Sequence, residues 1–289
     1  MTTDETTDRT AALIALIAET HVHPGVGQTT GAIDLPVARE RVTDFPFIPG
    51  SSVKGAFRVW VEERAAGLDV ETLFGKEPNG GDAGASGQAG QLLLSDARLL
   101  LLPVRALTDA FKWVTCPDIL RRLQRDMARA GHDAPGWTVP DVVAGAYLGL
   151  GTENDRLGLE EREFDHAGNV PGDLIKALAQ FTGQPEDLMR NRLVVLSDSD
   201  FTWFARYALP VMARNVLDAD KTSQNLWYEE TLAPDTIMYL LVGQRNKGAV
   251  SALAAALDAA PYIQIGGNET IGQGWFRMQA FEGGRDGQA

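Results

Sequence analysis

Apolar runs broken by Gly, Pro and polar clusters divide this chain into short strands and amphipathic helices. Leu13 to Thr20 is an apolar run without Gly or Pro, and periodicity alone allows a buried strand or a helix. The abrupt stop at His23-Pro24-Gly25 favours a strand. From Gly25 to Gly50 there is too much Gly, Pro and Thr for a regular element, and so long a loop in a compact protein is functional or disordered. It carries Asp34, Arg39, Glu40 and Arg41. A helix is expected from about Ser51 to Ala65, with Phe57, Trp60 and Val61 spaced along one buried face. Pro46 and Pro49 exclude regular structure before it, so Ser51 or Ser52 can cap its start.

Pro78 to Gly90 reads as a flexible loop, and Gln91 to Leu102 as a core strand closed by Pro103. Residues 117–130 suit a helix on which Arg121, Arg125 and Arg129 share a face, either solvated or in contact with RNA or another subunit. Asp133 to Asn169 is irregular, acidic and Gly-rich, an insertion expected to leave the core. A helix over Leu174 to Phe181 and a strand over Leu193 to Leu196 follow, with Phe201 to Arg206 packed beside them. Residues 207–233 form two apolar-bearing arms around a polar DADKTSQN tip, the pattern of a long hairpin with a flexible end. Thr236 to Val242 reads as a core strand, and Lys247 to Ala259 as a helix burying Val250, Leu253 and Leu257. Pro261 ends that helix, and Tyr262 to Ile265 starts the closing strand.

Strand, helix and strand at each end of the chain, around a large excursion, predict an α+β fold with a ferredoxin-like or RRM-like core. One elaborated domain over 1–289 is expected. Its parts are a disordered tail (1–10), a first core part (11–102) containing the 25–50 loop, and a mostly helical or irregular insertion (103–192). The hairpin (207–233) and a second core part (234–282) complete it.

Composition narrows the class. At 44% hydrophobic and 22% charged the chain is globular. No apolar run reaches the ~20 residues of a membrane span, and MTTDETTDRT is too polar for a signal peptide, which predicts a cytoplasmic protein with no membrane partner. The single cysteine, Cys116, excludes an internal disulfide or a multi-cysteine metal site and reads as packing. A net charge of -13 opposes sequence-independent nucleic-acid binding. Binding follows the local field along a groove, however, and the acids are clustered: Glu153, Asp155, Glu160, Glu161, Glu163 and Asp165 in one segment, Asp4, Glu5 and Asp8 in the tail.

Three stretches could carry chemistry. The helix start offers unpaired N–H groups beside Ser51, Ser52, Lys54 and Arg58, which together suit a phosphate. Gly266 to Gly274 holds four glycines and could bring backbone amides close to a polyanion. It is not a Walker loop, since Trp275 stands where Lys and Ser or Thr are required. Glu269 there would repel phosphate unless a base such as Arg277 or Lys54 paired with it. Asp34 is a lone carboxylate that spacing alone makes a turn former.

The wording of four segments adds to these readings. FPFIPGSSVKGAFR closely resembles the PGSSLKG-type motif of RAMP-superfamily CRISPR proteins. With HPGVGQTTGAIDLPVARER, FKWVTCP and IGGNETIGQGWFRM, in that order, most of the chain is similar to the repeating backbone subunits of type III-B (Cmr) effector complexes, of the Cas-seven group. The resemblance implies guide CRISPR RNA on Ser51, Ser52, Lys54 and Arg58 and on Gly266, Gly267, Asn268, Thr270, Gly272 and Gly274. It makes 207–233 a thumb whose Val211, Met212, Val216, Leu226 and Trp227 wedge between bases. It makes Asp34 the catalytic, Mg-binding (or other divalent-cation) residue for cleavage of single-stranded target RNA, by attack of a 2'-hydroxyl on the adjacent phosphate. His23 could serve as acid or base or only cap the strand, and Glu229 and Glu230 could be further ligands. Further copies of the chain and other subunits of the complex would be its partners. Two alternatives remain: a guide-binding subunit that does not cut, and a small-molecule enzyme whose PGSSVKG helix binds a nucleotide phosphate.

Overall fold

The computed structural model describes residues 11–65, 67–76, 88–132, 136–152 and 155–281. The expected tail at 1–10, most of the 78–90 loop and Glu153 lie outside these. In chain order the elements begin with β1 (Ala11–Ala18), β2 (Phe47–Ile48), α1 (Gly50–Arg64), α2 (Val70–Phe74), β3 (Leu92–Leu94) and β4 (Ala97–Val104). Next come β5 (Lys112–Thr115), α3 (Pro117–Arg129), β6 (Ala146–Leu148), β7 (Arg156–Leu159) and β8 (Arg162–Gly168). Then follow α4 (Gly172–Thr182), α5 (Glu186–Arg192), β9 (Leu193–Leu196) and α6 (Asp198–Tyr207). The hairpin is β10 (Val211–Leu217) and β11 (Ser223–Glu230); β12 (Ile237–Gln244), α7 (Ala249–Ala259), β13 (Tyr262–Gln264) and β14 (Trp275–Phe281) close the chain.

The core is the expected βαββαβ unit: β1, α1, β4, β12, α7 and β14, with neighbouring strands in the antiparallel order β14-β1-β12-β4. All eight residues of β1 are buried, so both its faces are covered. α3 and α4 pack on β1 itself, α7 packs on β12 and β14, and α1 packs on β13 and β3. Phe57, Trp60 and Val61 of α1 and Val250, Leu253 and Leu257 of α7 are buried as their spacing predicts. Cys116 is fully buried and burial pushes its thiol up, a packing residue with no reactive thiolate.

The middle of the chain departs from expectation. Residues 103–192 were expected to be mostly helical or irregular, with 133–169 leaving the core. Helices α3, α4 and α5 and irregular chain do make up most of the described part of 103–192, but the segment also supplies β5, β6, β7 and β8, which extend the same sheet through β4-β5-β9-β6-β8-β7, so 133–169 does not leave the core. β5 pairs in parallel with β9, some eighty residues later, a partnership that no local pattern encodes. Pro103 does not close a strand either. The 91–102 segment breaks at Ser95-Asp96, and Pro103 sits inside β4 opposite Trp113. The β12 ladder ends at Leu101, so Pro103 has no ladder on that side to interrupt.

Candidate nucleic-acid interface and cleavage site

α1 begins without the serine cap its sequence suggests. Pro49 is the N-cap residue, and Ser51 and Ser52 stand exposed within the first turn. The amide of Gly50 is instead taken by a remote carboxylate, donating to Asp96 Oδ1 at 2.7 Å. Lys54 is exposed and makes no ion pair among the described residues. Arg58 is engaged, donating to Glu62 at 3.3 Å and to the Gly75 carbonyl at 2.8 Å. The first turn therefore keeps Ser51, Ser52 and Lys54 for an anion, beside a resident negative charge.

The glycine loop is used inwardly as well. Gly267 N–H donates to the His23 carbonyl (3.0 Å), Gly274 N–H to the His21 carbonyl (2.8 Å) and Gly272 N–H to the Glu269 carbonyl (3.0 Å). The expectation that its amides stand free is thus corrected for three of its four glycines. Gly274, at φ +86°, is required by crowding, because an added Cβ would lie 2.5 Å from the Ile265 carbonyl oxygen. Thr270 is exposed, while the Asn268 side chain donates to Glu229 and, at 3.0 Å, to Gln273. Glu269 pairs with neither Arg277, which faces Glu19 at 3.8 Å, nor Lys54.

His23, Ser52, Gly266 and Gly267 come together along a cleft of about 620 Å³ between α1, β13 and the glycine loop. Asp34, Lys54, Arg58 and the hairpin do not line it. Its charged walls are Glu63, Glu269 and Arg64. His23 is only 8% exposed. Its Nδ1 lies 2.8 Å from the Glu230 carbonyl oxygen and 3.5 Å from Glu229, and its Nε2 lies against Gly25, where an added Cβ would sit 2.4 Å away. Through these contacts the ring ties the segment after β1 to the hairpin base, while it also lines the cleft.

Glu229 and Glu230 are not spare ligands. Glu229, 2% exposed, meets His23, Arg214 (3.1 Å) and Asn268. Glu230, 3% exposed, accepts from Arg39 (2.7 Å) and the Val37 amide (3.1 Å). Arg39 also donates to the carbonyls of Asp44 and Ala205, and Arg122 grips Glu40 with both arms, so the 37–40 stretch of the 25–50 loop is anchored.

Asp34 differs from all of these. Its segment runs beside β11, with Leu35 N–H donating to the Tyr228 carbonyl and Glu230 N–H to the Leu35 carbonyl. Tyr228 N–H donates to Asp34 Oδ2 at 2.8 Å, and the second carboxylate oxygen has no partner among the described residues, in a partly exposed position. No group of three His, Cys, Asp or Glu able to hold a metal exists among the described residues. One free oxygen fits an ion shared with RNA phosphates and water, not a metal held by the chain alone.

The register of β10 and β11 splits the expected wedge. Side chains paired across the ribbon share a face, which groups Val211 and Leu226 with Tyr228, and Met212, Val216 and Trp227 with Arg214 and Glu229. On the first face Val211, Leu226 and Tyr228 are each about half exposed; on the second, Met212, Arg214 and Trp227 are more covered, while Val216, nearer the tip, is as exposed as Val211. Tyr228 went unnoticed in the sequence, although strict alternation from Leu226 points to it. At the tip, Asp218 accepts from the amides of Asp220 and Thr222 and from Gln224.

A family model for the RAMP superfamily matches residues 15–277, nearly the whole described chain. The chain belongs to the RAMP superfamily. Within it, the CRISPR system Cmr endoribonuclease Cmr4 of Pyrococcus furiosus is 31% identical over 284 residues, 93% of this chain and 95% of the relative. The solved structure of oligomeric Cmr4 from Pyrococcus furiosus superposes with a TM-score of 0.74 at 25% identity, covering 95% of this chain and 98% of that one. A chain of the type III-B Cmr-beta bound to cognate target RNA shares the fold, with a TM-score of 0.71 at 21% identity over 94% and 97%. The RAMP fold is therefore common to all of them, and no described helix is long and apolar enough to cross a membrane.

Proposed function

We propose that this RAMP protein is a repeating backbone subunit of a type III-B CRISPR ribonucleoprotein, which binds guide RNA and cuts complementary target RNA in a metal-dependent reaction. Support comes from the relative, itself named an endoribonuclease of the Cmr system, at 31% identity along nearly its full length. The observation that carries the cleavage reading is Asp34: alone among the acids at the hairpin base, it keeps an unpaired oxygen while its direction is set by the Tyr228 amide. Ser51, Ser52 and Lys54 at the start of α1, with Gly266 and Thr270 in the glycine loop, are the contacts proposed for guide RNA.

A divalent cation such as magnesium, when bound, would supply charge stabilisation at the scissile phosphate. The chain's own part is placement. The exposed face bearing Val211, Leu226 and Tyr228 holds an unstacked base, as apolar side chains can. The adjoining nucleotide is thereby bent so that its 2'-hydroxyl lies in line with the next phosphate. Asp34 reaches that phosphate from a backbone hydrogen-bonded to the same hairpin, so wedge and carboxylate move together. A guide-binding subunit that does not cut is the second reading, favoured by the engagement of Glu229 and Glu230, which leaves Asp34 without a second free acid.

The test is Asp34→Asn in the assembled complex under single-turnover conditions across a magnesium series. Asn keeps the acceptor for Tyr228 N–H and loses the charge, so guide retention and target capture should persist. Cleavage should slow by on the order of a hundredfold to several thousandfold, or about 3 to 5 kcal/mol. Normal cleavage by Asp34→Asn would leave the non-cutting reading standing.

A further inference from the structure

Beyond the cleft and the hairpin lies a recess of about 480 Å³ lined by Arg98, Arg122, Arg125 and Arg129 with Glu40, Asp96 and Asp126. It is a built feature. Asp126, 3% exposed, accepts from Arg98 (2.7 Å), from the Tyr239 hydroxyl (2.9 Å) and, loosely, from Arg129 (3.5 Å). Arg122 is neutralised by Glu40, and Asp96 is occupied by the Gly50 amide. That leaves four guanidinium groups for three carboxylates. The surplus is Arg125, exposed and without any ion pair or hydrogen bond among the described residues.

A surplus cation at this point works against folding. Arg121, Arg125 and Arg129 are spaced i, i+4 and i+8 along α3, where like charges repel. Arg121 is relieved by Asp118 at 2.6 Å and Asp198 at 3.8 Å, and Arg129 partly by Asp126. Arg125 has no such relief, although the chain carries thirteen more acids than bases. An anion entering the recess would supply it.

We infer that this recess is a second RNA-phosphate site, in which Arg125 and Arg129 take a phosphodiester while the Arg98–Asp126 and Arg122–Glu40 pairs hold the recess open. A phosphodiester is favoured over an acidic protein surface by position. Asp96 both lines the recess and binds the Gly50 amide, so the recess abuts the first turn of α1 with its exposed Ser51, Ser52 and Lys54. One continuous surface thus offers two places for negative charge, which a strand with a phosphate at every residue can fill together. Guanidinium forks match phosphate oxygens better than a lysine does. The inference rests on the RNA-binding reading above.

The experiment compares Arg125→Ala, Arg129→Ala, Lys54→Ala and Arg121→Ala in the intact chain, with a labelled single-stranded RNA of mixed sequence over a salt series. Arg125→Ala should weaken binding and lower the salt slope by about 0.7, the change for one phosphate contact on a single strand. Arg129→Ala should act in the same direction, Arg121→Ala should change neither quantity, and the thermal midpoint of Arg125→Ala should not fall. An unchanged slope for Arg125→Ala alongside a reduced one for Lys54→Ala overturns this inference alone. Absence of RNA binding by the unaltered chain overturns both readings. If Arg125→Ala instead reduces RNA-free self-association by light scattering, with the slope unchanged, the recess holds a carboxylate of another protein and the RNA assignment falls.

Discussion

Asp34 and Glu229 lie on neighbouring backbones, since Leu35 and Glu229 form a parallel bridge, yet the two carboxylates live in opposite conditions. Glu229 is buried and meets an arginine, a histidine and an amide. Asp34 is partly exposed, with one oxygen held and one without a partner among the described residues. Saturation stabilises the junction of β1, the hairpin and the glycine loop, whereas incompleteness leaves room for a substrate. Carboxylates that look interchangeable in the sequence are sorted into a saturated one and an open one by what surrounds them.

The largest expected effect breaks the frame. Glu229→Ala leaves Arg214 without its acceptor and takes one of two from the Asn268 amide, which keeps Gln273, and losing one partner of a buried pair costs about 3 kcal/mol or more. Asp34→Asn should stay within about 0.5 kcal/mol of the unaltered chain in denaturant unfolding. Equal losses in the two variants would erase the distinction between them.

A smaller effect sharpens the comparison inside the glycine loop. Gly272 and Gly274 both have positive φ, but an added Cβ meets nothing within 4 Å at Gly272 and a carbonyl oxygen at 2.5 Å at Gly274. Gly272→Ala should therefore cost about 1 kcal/mol, for the left-handed backbone alone, and Gly274→Ala clearly more. Equal midpoints in chemical denaturation would show that the loop does not need its close approach to Ile265.

The smallest concerns pH at the frame. Burial holds the His21 imidazole below its ordinary value of 6.5; a backbone contact with Leu232 opposes this and the Arg214 charge adds to it. The unfolded chain thus takes up its proton first on acidification. The His21 contribution is fully present above about 6.5 and is lost as pH falls through the lower folded value. His21→Gln should flatten that part of a stability–pH curve, and an unaltered curve would assign the dependence elsewhere.

Elements resting on local pattern were legible in the sequence: the buried stripes of α1 and α7, and the two arms around the 218–222 tip. What rests on distant partners was not. Parallel pairing of β5 with β9 has no local signature, which is why 103–192 read as an insertion. Ser51 and Ser52 satisfied every rule for a cap, yet Asp96, forty-six positions on, takes the amide. The wedge residues were read as one set because their division into two faces needs the cross-strand register. Asp34 was singled out by the motif around it alone, since its position, with one oxygen held by the Tyr228 amide, exists only once β11 is beside it.

The Gly50–Asp96 bond also bears on the order in which the chain acquires its structure. A fifteen-residue helix with no side-chain cap of its own is marginal in water. Its terminal amide finds an acceptor only when the turn before β4 arrives, so α1 becomes durable late, together with the strand that follows it. A growing polypeptide that has emerged only through Arg64 therefore carries the PGSSVKG residues without the surface they form.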